Sequence, residues 1–124
     1  MPNMKEIVIA NLSMDFALRI VHLYNYLSKE KREYVLSTQL LRCGTSIGAN
    51  IAESEHAQSP ADFVAKLSIS LKDANESKYW ITLLHRAEYL SDKEYESIMK
   101  DLRIIIGTLV NTIKKTKDNV MEEN

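Results

Sequence analysis

Three glycines and two prolines in 124 residues are too few for a loop-rich or low-complexity chain, and they leave room for long helices. Cys43 is the only cysteine, so no intramolecular disulfide forms, as suits a reducing cytoplasm. Charge of neither sign dominates: 16 Lys+Arg stand against 17 Asp+Glu, a net of -1. Proteins that coat nucleic acid usually carry a clear basic excess, so this balance weighs against that class while leaving a local basic patch open. A signal peptide is not expected, because Lys5 and Glu6 precede only the short run Ile7–Ala10. The stretch Leu102–Val110 holds Arg103 and is too short to span a bilayer. These absences point to one soluble cytoplasmic domain, residues 1–124, with no membrane partner.

What is present is helical periodicity. Met1–Leu12 has no clean period and reads as a short docked segment, after which Asn11 or Ser13 caps a first helix. Phe16, Ile20, Leu23 and Leu27 fall on one face of that helix, over residues 13–29. The charged run Ser28–Glu33 reads as a solvated connection. Ser37 or Thr38 caps a second helix, 37–57, with Leu40, Cys43, Ile47 and Ile51 inward. Ser59-Pro60-Ala61-Asp62 then opens a third, 60–89: serine caps, proline fits the first helical position, and Asp62 faces the positive helix end. Ser91 to Glu94 has capping-box spacing and opens a fourth helix, 92–117. Lys114, Lys115 and Lys117 fall in its expected last turns, ahead of a frayed tail. Four amphipathic helices with short connections predict an all-α fold, an antiparallel up-and-down four-helix bundle.

The second helix carries two further patterns. Gly44 and Gly48 lie four apart in mid-helix, where each costs roughly 1 kcal/mol against alanine, so close approach of another helix must offset them. Whether that helix belongs to the same subunit or another is open at this point. Arg42, Ser46, Asn50 and Glu53 form a polar stripe along the same helix, with Asp73 and Glu76 on the third as partners. A register-setting network between helices, or an interface, is the reading this supports. Chemistry finds little purchase. Glu53-x-x-His56 has the spacing of a di-iron ligand pair, but such sites need two copies and further glutamates, and His85-x-x-Glu88 runs in reverse. Cys43 sits on an apolar face away from His22 and His85, which reads as an inert core thiol. We expect no metal, no cofactor and no catalytic residue.

The string QLLRCGTSIGANIAESEHAQSPADFVAKLSISLKDANESKYWITLL, from Gln39 to Leu84, closely resembles a family of bacterial four-helix-bundle proteins related to those encoded in intervening sequences of 23S ribosomal RNA genes. The Ser-Ile-Gly-Ala-Asn-Ile-x-Glu string, the Ser-Pro-x-Asp-Phe turn and Glu-x-x-Tyr-Trp carry the likeness. That family is similar to the accessory protein of diversity-generating retroelements, a ring-shaped pentamer that works with a reverse transcriptase and RNA. The resemblance implies a homo-oligomer, a pentamer by that analogy, with no catalytic residue carried over. The retroelement protein is strongly basic, and this chain is not.

The expected function is therefore a non-enzymatic, homo-oligomeric interaction or scaffold module that meets a protein partner. The alternative is an RNA- or DNA-binding accessory of a ribonucleoprotein or reverse transcriptase. It would use Lys114, Lys115 and Lys117, with Lys29, Lys31 and Arg32 as further contacts.

Overall fold

The computed structural model describes residues 4–123, and within them four helices run up and down: α1 Met4–Lys29, α2 Val35–Ser54, α3 Pro60–Arg86 and α4 Asp92–Glu123. Residues 30–34, 55–59 and 87–91 join them, connections too short for anything but antiparallel neighbours. Each helix packs on the next, and α4 returns to α1 along the most lightly packed seam. Phe16, Ile20 and Leu27 of α1 meet Leu40, Cys43, Ile47 and Ile51 of α2 in the core. Leu67, Ala74, Ile81 and Leu84 of α3 and Met99, Leu102, Ile105 and Leu109 of α4 complete it.

The helix ends depart from the sequence reading in instructive ways. α1 begins at Met4, not at residue 13, because Ile9 is buried and Ala10 and Leu12 pack on the core. Ser13 caps nothing: it is buried in mid-helix and donates its hydroxyl to the Ala10 carbonyl at 3.0 Å. The run Ser28–Glu33 is not all solvated loop, since Glu33 is only 7% exposed. Its carboxylate accepts from the Leu36 and Ser37 amides, both at 2.8 Å, and so caps the N-terminus of α2. Ser37, expected to cap, is instead buried and donates its hydroxyl to the Glu33 carbonyl. Two of the expected caps form. Ser59 accepts from the Asp62 amide at 3.0 Å, and Ser91 and Glu94 exchange bonds of 3.0 and 3.1 Å.

At its other end α3 stops at Arg86, three residues early. Tyr89 N–H reaches the Leu84 carbonyl and Glu88 N–H the His85 carbonyl, a Schellman closure with Glu88 left-handed at φ 69°. α4 runs to Glu123, so Lys114, Lys115 and Lys117 do not sit in its last turns, and the residues after Asp118 are helical. Across the thin α1–α4 seam, Arg19 forks onto α4. It donates to Asp101 at 2.9 Å, to the Ser97 hydroxyl at 2.7 Å and to the Ser97 carbonyl at 3.2 Å.

Candidate functional site

The 20-residue helix α2 serves two seams at once. Its glycine side faces α1. A β-carbon at Gly44 would stand 3.0 Å from Ile20 Cγ1, and one at Gly48 would stand 3.2 Å from Ser13 Oγ. The close approach that the glycines imply is thus made within one chain, between α1 and α2.

The polar stripe of α2 faces α3 and forms three rungs. Arg42 pairs with Glu76, whose carboxylate also accepts from Trp80 Nε1 at 3.0 Å. Asn50 donates to the Ser46 carbonyl at 3.0 Å and more distantly, at 3.4 Å, to Asp73. Glu53 meets Lys66 at 3.3 Å. The structure therefore brings Arg42 to Glu76 and Asn50 to Ser46 and Asp73, while Glu53 takes a lysine that the sequence reading passed over. Trp80, which the sequence places beside these partners, is bonded to Glu76, four residues before it on the same helix, a contact its spacing announces. Under the rungs Ser70 donates to the Ile47 carbonyl at 2.8 Å and Ser77 to Cys43 Sγ at 3.3 Å.

The electrostatics of the rungs are those of a seam open to water. The Trp80 indole bond, helped by Arg42, holds the Glu76 carboxyl below the usual carboxylate range. Burial pushes the Cys43 thiol up, away from the reactive thiolate. The Arg42 and Glu53 side chains are 56% and 63% exposed, so their pairs add little energy and mainly select one register. Each acid on the ladder is answered by a neighbouring donor.

The clefts lie elsewhere. An open cleft of about 540 Å³ sits at the end where α1 begins, between Ile9, Ile51, Phe63, Leu67 and Thr112. A neighbouring one of about 460 Å³ separates Met4 and Val8 of α1 from Thr108, Asn111 and Lys115 of α4. Glu53 and His56 are exposed, and among the described residues no group of three His, Cys, Asp or Glu side chains is placed to hold a metal ion.

The cations divide by location. Lys114, Lys115 and Lys117 are exposed near the far end of α4, whereas Lys29, Lys31 and Arg32 lie at the opposite end of the bundle. What joins the two ends is α4 itself. From Lys100 to Lys117 it carries Lys100, Arg103, Lys114, Lys115 and Lys117, all exposed, against one acid, Asp101, which Arg19 engages. Lys100 and Arg103, the latter 3.8 Å from Glu96, extend a stripe that the sequence reading saw only at its end.

α1 is unusual for the opposite reason. The segment Glu6–Lys29 is, among the described residues, the one helix long and apolar enough to cross a membrane by length and composition, and 22% of its most apolar window is buried. The sequence reading missed this because Asp15 and Arg19 break the run and the apolar residues encircle the helix rather than line one side.

The sequence profile of the 23S rRNA-intervening sequence protein matches residues 5–111. No functionally curated protein matches the chain. Among solved structures, a protein of unknown function from the S23 ribosomal protein family of Bacteroides thetaiotaomicron is 53% identical. That structure, at 1.70 Å resolution, superposes with a TM-score of 0.88, covering 90% of this chain and 99% of its own.

Proposed function

Because the chain belongs to the 23S rRNA-intervening sequence protein family, and its solved relative is itself of unknown function, we propose a role from the surface the fold presents. The protein acts as a non-enzymatic, homo-oligomeric helical module that offers a surface to a protein partner. The observation that carries this reading is α1. Its outward side keeps Ile7, Met14 and Leu18 in water, 44%, 68% and 55% exposed, though the inward side already fills the core. A helix apolar on both sides is a helix with two things to cover. The interior supports the same reading: the buried side-chain polar atoms among the described residues have partners, and they are spent on packing. The lone cysteine supports a reducing, cytoplasmic setting.

Light scattering over a range of protein concentrations tests the reading. A mass several times that of the chain is expected, with five copies the number implied by the family resemblance. A single-chain mass at micromolar concentration would defeat it. Co-purification of tagged protein from its own cells would then name the partner.

A second reading, an RNA- or DNA-binding accessory, is favoured by one observation: the exposed cations along α4 from Lys100 to Lys117. An oligomer would repeat that stripe and multiply a modest affinity. Binding to RNA that weakens steeply with salt, and that is lost in a Lys100→Glu, Arg103→Glu, Lys114→Glu variant, is the expected result for that reading. No retention at low salt would reject it.

A further inference from the structure

We infer that the outer face of α4 is a docking site for an acidic amphipathic helix of a partner protein, an assignment that rests on the protein-partner half of the reading above. α4 turns Leu102, Ile105 and Leu109 into the core, so Lys100, Ile104, Gly107, Asn111 and Lys114 line its opposite side at helical spacing. That side is apolar at its centre and basic at both ends. From Ile104 to Ile113 no charged residue occurs, about 15 Å of helix at 1.5 Å per residue. Ile104 and Val110 are 46% and 45% exposed there, and between them an added β-carbon at Gly107 would meet nothing within 4 Å. Lys100 and Arg103 flank this centre at one end, Lys114 and Lys117 at the other. Among the described residues Lys100, Lys114 and Lys117 have no ion-pair partner, and Arg103 has only Glu96 at 3.8 Å. Asp101 is engaged by Arg19, and the next acid, Asp118, lies beyond the cations.

Shape and charge together select this occupant. Four side chains of one helix, at i, i+3, i+4 and i+7, form the hole that receives a side chain from a facing helix. Ile104, Gly107, Thr108 and Asn111 have that spacing, and the missing side chain at Gly107 deepens the hole. A partner leucine fills it, and the partner helix then runs along α4 with carboxylates over Lys100 and Lys114, about 21 Å apart. The centre has no charge to strip from water, while the charged ends stay at the rim, where they steer the encounter and set register. A nucleic-acid backbone fits this face less well. A duplex strand carries a phosphate about every 3.4 Å of axis, so about four would lie over Ile104–Ile113 with no cation beneath them. A helix with its acids at the two ends leaves none there.

The test is an anisotropy titration with a labelled helical peptide that has leucines at helical spacing in its middle and paired glutamates about four turns apart at its ends. A second peptide of the same composition carries the glutamates in the middle. Wild type should bind the first peptide roughly tenfold more tightly than the second. An Ile104→Gln, Val110→Gln variant, which changes no charge, should lose roughly tenfold in affinity for the first peptide, and Lys100→Glu, Lys114→Glu should lose at least as much. Gly107→Gln, which fills the hole, should weaken binding too. All these positions are exposed, so helix content by circular dichroism should be unchanged. Lys72→Glu, Lys78→Glu on α3 makes the same charge change elsewhere and should bind as wild type does. Equal affinity for the two peptides, or an equal loss in the α3 variant, overturns the assignment. Light scattering on the same samples keeps the oligomer a separate question: peptide binding at single-chain mass would defeat the oligomer and uphold the site. An RNA hairpin that binds wild type and the Ile104→Gln, Val110→Gln variant alike, where the peptide does not bind, gives the face to nucleic acid and overturns the assignment.

Discussion

Gly44 and Gly107 are both helical glycines, and their surroundings predict opposite outcomes for the same substitution. Nothing lies within 4 Å of a β-carbon built at Gly107, which is exposed on α4. Gly107→Ala therefore gains only the helix preference and should raise stability by about 1 kcal/mol in urea unfolding. At Gly44 the added carbon meets Ile20, fully buried and unable to swing away, at 3.0 and 3.1 Å. Overpacking of this kind costs about 1–3 kcal/mol, enough to cancel the helix gain, so Gly44→Ala should destabilise. Equal stabilisation by both would show that the α1–α2 seam is looser than drawn. Glu88 offers a third position. It holds the left-handed conformation that ends α3 without a glycine's freedom, and Glu88→Gly should add about 1 kcal/mol to the unfolding free energy.

Among the elements, α2 depends on a residue outside itself. Glu33 supplies two acceptors to the first turn from a position that is nearly closed to water. Glu33→Ala leaves the Leu36 and Ser37 amides without that partner and should cost about 2 kcal/mol, at the upper end for a lost cap. Amide exchange at Leu36 and Ser37 should quicken more than at Ile47; uniform exchange would deny the cap its role. This cap also marks where the sequence stopped being legible. Helix number, order and inward faces follow from apolar spacing, and Ser59 and Ser91 were readable because serine followed by an acid is a local signal. Glu33 was not readable, because a glutamate in a charged run shows no sign of burial until Arg32 turns the chain at φ 53° and aims it inward. The polar ladder was half legible for a similar reason. Arg42, Asn50 and Glu53 share a face by period alone, whereas the pairing of Glu53 with Lys66 depends on how α2 and α3 align.

At the scale of the molecule, a net charge of -1 conceals sorted surfaces. The outer α1–α2 face is nearly free of charge, α4 is basic between Lys100 and Lys117, and acids gather towards both of its ends. Two of those acids tie stability to pH. Glu76 is held below the ordinary carboxylate range chiefly by the Trp80 bond, and Glu94 by the Ser91 amide and hydroxyl of the capping box. A carboxyl that is more acidic in the folded than in the unfolded chain binds fewer protons when folded. Its stabilisation is therefore complete above the unfolded carboxylate range and is lost as pH falls through the lower, folded value. The unfolding midpoint should hold steady near neutrality and decline below about pH 5. Both side chains are substantially solvated, so each contributes modestly, and the decline should be gradual. Glu76→Gln with Glu94→Gln should lower the midpoint at pH 7 and flatten the acid limb. Protein concentration must be fixed in these scans, because an oligomer's midpoint rises with concentration and would otherwise be mistaken for titration. An acid limb of unchanged slope in the double variant would move the pH dependence to other carboxylates.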